Sequence, residues 1–194
     1  MRRPVRAPRG TLRRLTSAAK SSARAETFNH EVLRHDARAL LASAAARLFT
    51  VEEIAALRRL SDENDDASRL DRLLTTRAPL QVTINPEARV SVVRTTAPPP
   101  RMTCGGAAPW LVRIVNQGRV GSALNATLVG DVAGPVRLQQ TIERLAGAAV
   151  EYRVLTMTVA TTKPIDVTLA FDVGRGTDDL ALRSQLSLLV RCAL

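Results

Sequence analysis

The segment Ile165-Asp166-Val167-Thr168-Leu169-Ala170-Phe171 constrains this chain most, because its large apolar residues alternate strictly with small or polar ones. Side chains alternate across a strand with period two. Ile, Val, Leu and Phe therefore fall on one face, and Asp, Thr and Ala on the other. Such a strand covers a core with one face only. Leu186, Leu188, Val190 and Cys192 repeat the pattern after a Gly174-Arg175-Gly176 turn. A late hairpin of this kind closes a β-sandwich, which is a frame and not a reaction.

The period of two begins at Leu80. Strands are predicted over residues 80–84, 89–94, 110–116, 123–129, 136–139, 150–158, 165–171 and 182–192. Turn material separates them, including Asn85-Pro86, Pro98-Pro99-Pro100, Gly105-Gly106 and Gly134-Pro135. Short strands at regular intervals predict a mainly β chain, an immunoglobulin-like antiparallel β-sandwich over residues 78–194. Residues 142–149 read as a short helix or a loop crossing between the sheets. Aromatics are only 3% of the chain, so the core must be built from Leu, Val, Ile and Ala.

Residues 26–77 read as a short α-helical segment preceding the sandwich. Over 28–49, Leu33, Ala37, Leu40, Leu41, Ala44 and Leu48 recur at spacings of three and four. Thr50-Val51-Glu52-Glu53 is a capping box that starts a second helix carrying Ile54, Leu57 and Leu60. The acidic stretch 61–66 breaks that helix, and Leu70, Leu73 and Leu74 mark a third. Amphipathic helices of this kind are expected to pack on each other or on the sandwich.

The formal net charge of +10 is unevenly distributed. Residues 1–25 carry Arg2, Arg3, Arg6, Arg9, Arg13, Arg14, Lys20 and Arg24 with no acid, while the rest of the chain holds 20 basic and 18 acidic residues. The basicity is thus expected in a tail, where it could bind a polyanion such as nucleic acid or an anionic membrane. The same composition fits a targeting segment or a solvated, disordered leader. Ala23-Arg24-Ala25 has the form of a signal-peptidase site, but no apolar run precedes it. No stretch of about 20 apolar residues is present, so no membrane-spanning helix is predicted.

Residues that carry chemistry are few. His30 and His35 are five apart near the start of the first helix, and neither has a carboxylate or thiol at metal-ligand spacing. Asp172, Asp178 and Asp179 surround a glycine-rich turn without the ligand order of a calcium loop. Cys104 and Cys192 are either buried thiols or a disulfide, which would form only in an oxidising compartment. Trp110 and Tyr152 are the large amphipathic aromatics, too few for a sugar- or base-stacking platform. Asn125-Ala126-Thr127 is a glycosylation sequon by pattern alone. No Gly-x-Ser-x-Gly elbow, Walker loop or dinucleotide fingerprint occurs.

Four segments together resemble a known family. They are Ile84-Asn-Pro-Glu-Ala-Arg-Val-Ser-Val92, Trp110-Leu-Val-Arg-Ile-Val-Asn-Gln-Gly118, Val150-Glu-Tyr-Arg-Val-Leu155 and Phe171-Asp-Val-Gly-Arg-Gly-Thr-Asp-Asp-Leu180. This pattern is similar to the N-terminal β-sandwich of large secreted bacterial proteins, of planctomycete type, in which a metallohydrolase domain of the PHP type follows. The resemblance implies export, to the periplasm or beyond. The His-rich metal ligands belong to the hydrolase, and no residue here matches them. No catalytic residue, metal or cofactor is therefore implied for this chain.

The expectation is a non-catalytic structural or binding accessory module, either free-standing or the N-terminal part of a secreted metallohydrolase, with a protein or polysaccharide partner. The alternative is a nucleic-acid-binding or capsid-like protein that uses the Arg-rich arm.

Overall fold

The computed structural model describes residues 30–62, 67–85, 89–119, 123–131, 136–139, 141–175 and 179–194; within 123–146 and 172–183 it describes the backbone only. The basic tail at residues 1–25 lies outside the described residues.

Helix α1, His30–Leu41, buries the stripe Leu33, Ala37 and Leu40. It is shorter than the helix expected over 28–49, because Ser43 interrupts it. The Ser43 hydroxyl donates to the Leu40 carbonyl at 2.9 Å and accepts the Ala45 amide at 3.1 Å. Such local bonds compete with the helical ladder, and the chain continues as a 3-10 turn over Ala44–Leu48. Helix α2, Val51–Asp62, starts at the capping box: the Thr50 amide donates to Glu53 Oε2 at 2.8 Å, and the Glu53 amide to Thr50 Oγ1 at 3.3 Å. Helix α3, Ala67–Thr75, buries Leu70 and Leu74.

The strands are β1 Leu80–Asn85, β2 Arg89–Arg94, β3 Ala107–Asn116, β4 Ala123–Asp131, β5 Val136–Gln139, β6 Thr141–Ala146, β7 Ala149–Val159, β8 Ile165–Arg175 and β9 Asp179–Val190. They form a five-stranded sheet in the order β2-β1-β3-β7-β5 and a four-stranded sheet in the order β6-β4-β8-β9. The protein is β-rich with a helical layer, as expected, but the sandwich is not wholly antiparallel. β1 runs parallel to β3, with Leu80 opposite Val112. The cause is the β1–β2 hairpin, which returns the chain to the start of β1, since Arg94 lies opposite Leu80. Residues 95–106 then step past β1, and β3 starts in the same direction on its other side. The Thr95 amide donates to the Pro79 carbonyl at 3.0 Å and fixes this crossing.

Two further expectations are corrected. Residues 142–146, expected as helix or loop, belong to β6, which pairs with β4 through Leu124↔Leu145 and Ala126↔Ile142. The final hairpin also reaches further than the strands expected over 165–171 and 182–192: β8 runs through Gly174 to Arg175, opposite Asp179.

Two cores share the five-stranded sheet. Between the sheets, Val82, Trp110, Ile114, Met157, Leu169 and Phe171 pack with described residues of β1, β2, β3, β7, β8 and β9. On its outer face, Leu111, Val150 and Tyr152 pack against Leu33, Leu57, Leu70 and Leu74 of the helices. β3 is therefore buried on both faces, and neighbours Trp110 and Leu111 belong to opposite cores.

Candidate functional site

The buried polar residues of the described structure gather where the helices meet β3 and β7. On α1 the apolar spacing that buries Leu33, Ala37 and Leu40 carries Asp36 inward as well, to 4% exposure. Its Oδ2 accepts the Tyr152 amide at 2.7 Å, and its Oδ1 accepts Arg153 Nη1 at 2.9 Å. The amide is free for this because β5 covers β7 only from Thr156 to Val159. Asp36 thus satisfies an open strand edge that would otherwise bury an unpaired donor. Burial pushes the Asp36 carboxyl above its ordinary range, more than the Tyr152 amide and the Arg153 charge draw it down. Arg153 Nη2 also bonds Glu151, itself 3% exposed.

On α3, Asp71 plays the matching part. Arg113 on β3 and Tyr152 on β7 lie directly opposite in register. Arg113 donates to both Asp71 oxygens at 3.0 Å, and the Tyr152 hydroxyl donates to Asp71 Oδ1 at 2.7 Å. Desolvation opposes charge on Arg113, but the bidentate Asp71 carboxylate outweighs it and raises the guanidinium's pKa. Desolvation, with the Asp71 charge, pushes the Tyr152 phenol well above its usual pKa. The phenol stays neutral and donates.

A groove of about 430 Å³ opens along this seam, lined by His35, Asp36, Ser43, Arg47, Tyr152 and Arg153 among others. His35 Nδ1 is 3.8 Å from Asp36 Oδ1, too far for a hydrogen bond, and its side chain is 83% exposed. The seam therefore holds acids fixed by cations and amides, a geometry that binds the helical layer to the sheet.

The residues singled out from the sequence are dispersed. His30 and His35 are exposed on α1. Trp110 is in the sandwich core, and its indole Nε1 is the buried side-chain polar atom without a hydrogen-bond partner among the described residues. Tyr152 is in the helix–sheet interface instead. Asp172 and Asp179 lie on the paired strands β8 and β9, with side chains outside the described residues, as is Asp178. The Asn125 backbone lies on β4, opposite Gly174. Among the described residues, no group of three or more His, Cys, Asp or Glu is placed to hold a metal, and no helix is long and apolar enough to cross a membrane.

Cys104 and Cys192 are joined in a disulfide spanning 88 residues. The bond is reinforced by backbone: the Cys104 amide donates to the Ala193 carbonyl at 3.0 Å, and the Ala193 amide to the Met102 carbonyl at 2.9 Å. It ties the lead-in to β3 to the end of β9, so one sheet is linked covalently to the other. A loop of this length corresponds to about 4–5 kcal/mol in the chain-entropy model. The Asp36, Asp71, Arg113 and Arg153 network was not foreseen. Its signal was available in the two acids placed on the apolar faces of α1 and α3.

No protein-family model matches the chain, and no curated protein matches it. Among solved structures, SSP-19 of Caenorhabditis elegans, an MSP-domain protein-like family member, matches at 12% identity and a TM-score of 0.33. The match covers 50% of this chain and 96% of that one.

Proposed function

We propose that the chain is a non-catalytic accessory module that works outside the reducing cytoplasm and binds a partner through the surface of an immunoglobulin-like sandwich. The observation that carries this reading is the Cys104–Cys192 bridge. Disulfides persist in oxidising compartments and are rare where thiols are kept reduced. The resemblance to the sandwich of secreted PHP-type proteins implies the same place, beside a separate catalytic domain.

Support for the immunoglobulin-like assignment comes from how strands partition between sheets. An immunoglobulin sandwich places A, B, E and D in one sheet and C, F and G in the other, with C′ added beside C in variable types. With β1, β3, β7 and β5 as A, B, E and D, the first sheet has that order. With β6, β4, β8 and β9 as C′, C, F and G, so has the second. Two departures remain. β2 is an added edge strand that makes the β1–β3 pair parallel, and the C′ and D equivalents follow each other in reversed chain order.

Support for a non-catalytic role comes from the commitments of the buried acids. Asp36 and Asp71 are held by main-chain or phenolic donors and by arginines within the fold, which leaves neither as a free general base.

The test is the thiol state in the native host. Rapid acid quenching and alkylation of unreduced extracts is expected to leave Cys104 and Cys192 unmodified. Alkylation of both would overturn the placement outside the cytoplasm. Phosphoesterase turnover by the purified chain, abolished in Asp36→Asn or Asp71→Asn variants that remain folded, would overturn the non-catalytic part.

A further inference from the structure

Over residues 26–194 the chain is close to neutral, with 20 basic and 18 acidic residues, yet charge is not evenly spread over its surface. The seam groove is continued by a second, of about 520 Å³, walled by the prolines at 98–100; the two share Arg47 and Pro109. A third groove, of about 680 Å³ at the end of β9, shares Pro99, Pro100 and Arg101 with the second. The three adjoin and run from α1 to the disulfide. Their walls carry Arg47, Arg101 and Arg191, together with Arg77, which is paired with Glu53, and Arg153, which is paired with Glu151 and with the one side-chain carboxylate that lines them, Asp36. That carboxylate is already taken by Tyr152 and Arg153.

Three of the arginines are set in place by the fold, Arg153 by Asp36 and Glu151. Arg77 is held by both oxygens of Glu53, with Nη2 at 2.9 Å from each, and Arg47 Nη2 donates to the Ala107 carbonyl. Arg101 and Arg191 have no guanidinium partner among the described residues. Between these cations the walls are apolar and stiff. Prolines lose little freedom on binding, and Leu189 and Leu194 stand exposed at the third groove.

We infer that this channel docks an acidic, extended segment of a partner protein, an inference that rests on the binding-module reading and names its surface. Charge complementarity selects the occupant. Carboxylates on one side of an extended peptide meet the guanidiniums, and the alternate side chains meet proline and leucine. A single-stranded nucleic acid would instead stack its bases on aromatic faces, and Trp110 and Tyr152 are buried at 4% and 2% exposure. A polyuronate would use the arginines but leave the apolar walls uncovered.

The experiment uses the full chain and a fluorescent peptide alternating Glu with Leu, read by anisotropy at low and moderate salt. Three variants are compared: the triple Arg47→Gln/Arg101→Gln/Arg191→Gln, a chain with Gln at all eight basic positions of residues 1–25, and the unchanged sequence. Near-UV circular dichroism confirms folding of each. The expected result is binding that weakens steeply with salt, falls about tenfold or more in the triple variant, and is unchanged in the tail variant. No peptide binding by the unchanged chain at low salt overturns the proposal, as does equal binding by the triple variant or loss confined to the tail variant. Tighter arginine-dependent binding of polygalacturonate or oligothymidylate also overturns it, by reassigning the occupant. None of these outcomes alters the thiol measurement, so the docking site can fail while the module's placement stands.

Discussion

The hydroxyl of Tyr152 on β7 donates to Asp71 Oδ1 on α3 at 2.7 Å, and the same carboxylate receives Arg113 from the strand directly opposite. One acid from the helical layer thus joins two neighbouring strands of the central sheet. Thr75 Oγ1, one turn further along α3, lies 2.7 Å from the same phenol. The layer is fixed by directional bonds as well as by leucines, which specify its position on the sheet where apolar contacts alone would tolerate sliding.

Removing the two ends of this contact should have unequal effects. Tyr152→Phe leaves Asp71 bonded to Arg113 and is expected to destabilise by about 1 kcal/mol. Asp71→Ala strands a largely buried guanidinium and is expected to cost about 3 kcal/mol or more. Urea unfolding followed by circular dichroism measures both. Equal losses would mean that the arginine does not depend on Asp71.

Glu53 should make the protein less stable in acid. Burial alone would raise its carboxyl, but the Arg77 hydrogen bonds and the Thr50 amide outweigh this, and its pKa lies below the usual glutamate value. A depressed folded-state pKa contributes stability above the unfolded value and loses it as pH falls through the folded value. The stability advantage over Glu53→Gln, about 1 kcal/mol near neutrality, should therefore vanish on acidification. Denaturation midpoints across the acid range give the comparison, and a constant difference would contradict it.

Asp36 should behave in the opposite sense. Its folded-state pKa is raised by burial, so the native state keeps a proton that the unfolded chain has lost. Its contribution is complete below the unfolded pKa and is lost as pH rises through the folded one. Stability relative to Asp36→Asn should thus decline as pH rises from the acid side, a slope of opposite sign to that of Glu53. A difference that grows with pH would show that Arg153 dominates over desolvation.

Two backbone positions should respond in opposite directions. Gly105 sits at φ +74° with nothing within 4 Å of a built Cβ, so Gly105→Ala meets only the left-handed backbone penalty, about 1 kcal/mol. Ala148, in the turn between β6 and β7, is a non-glycine residue at φ 50°. Ala148→Gly relieves the same strain and is expected to stabilise by a few tenths of a kcal/mol to about 1 kcal/mol, after the entropy of the added glycine. Thermal unfolding of the two variants should move to either side of the unchanged protein.

Strand β8 was legible because its large apolar residues fall on one face. Ile165 to Phe171 alternate in the sequence, and Val167, Leu169 and Phe171 are buried as that alternation requires. Thr50 and Glu53 likewise signalled the start of α2 within their own four residues. β6 was not legible, since Thr141 to Ala146 lack a decisive period and their partners on β4, such as Leu124 for Leu145, are distant in the chain. The basic grooves were hidden by averaging. Near-neutral net charge over residues 26–194 conceals arginines from five separate segments that the fold brings to three adjoining grooves.

The sequence by itself determined which residues are apolar on which face, where helices begin, and that Cys104 and Cys192 were the available sulfur pair. These depend on neighbours a few residues apart, through periodicity and local hydrogen bonds. Only the tertiary structure decided that β1 runs parallel to β3, that Asp36 and Asp71 are held inside, and that five arginines line three adjoining grooves. Such relationships depend on contacts across 24 to 117 residues of chain, as in Arg77 with Glu53 and Arg153 with Asp36. No local pattern encodes them, because their energies arise only when distant segments are brought together and desolvated.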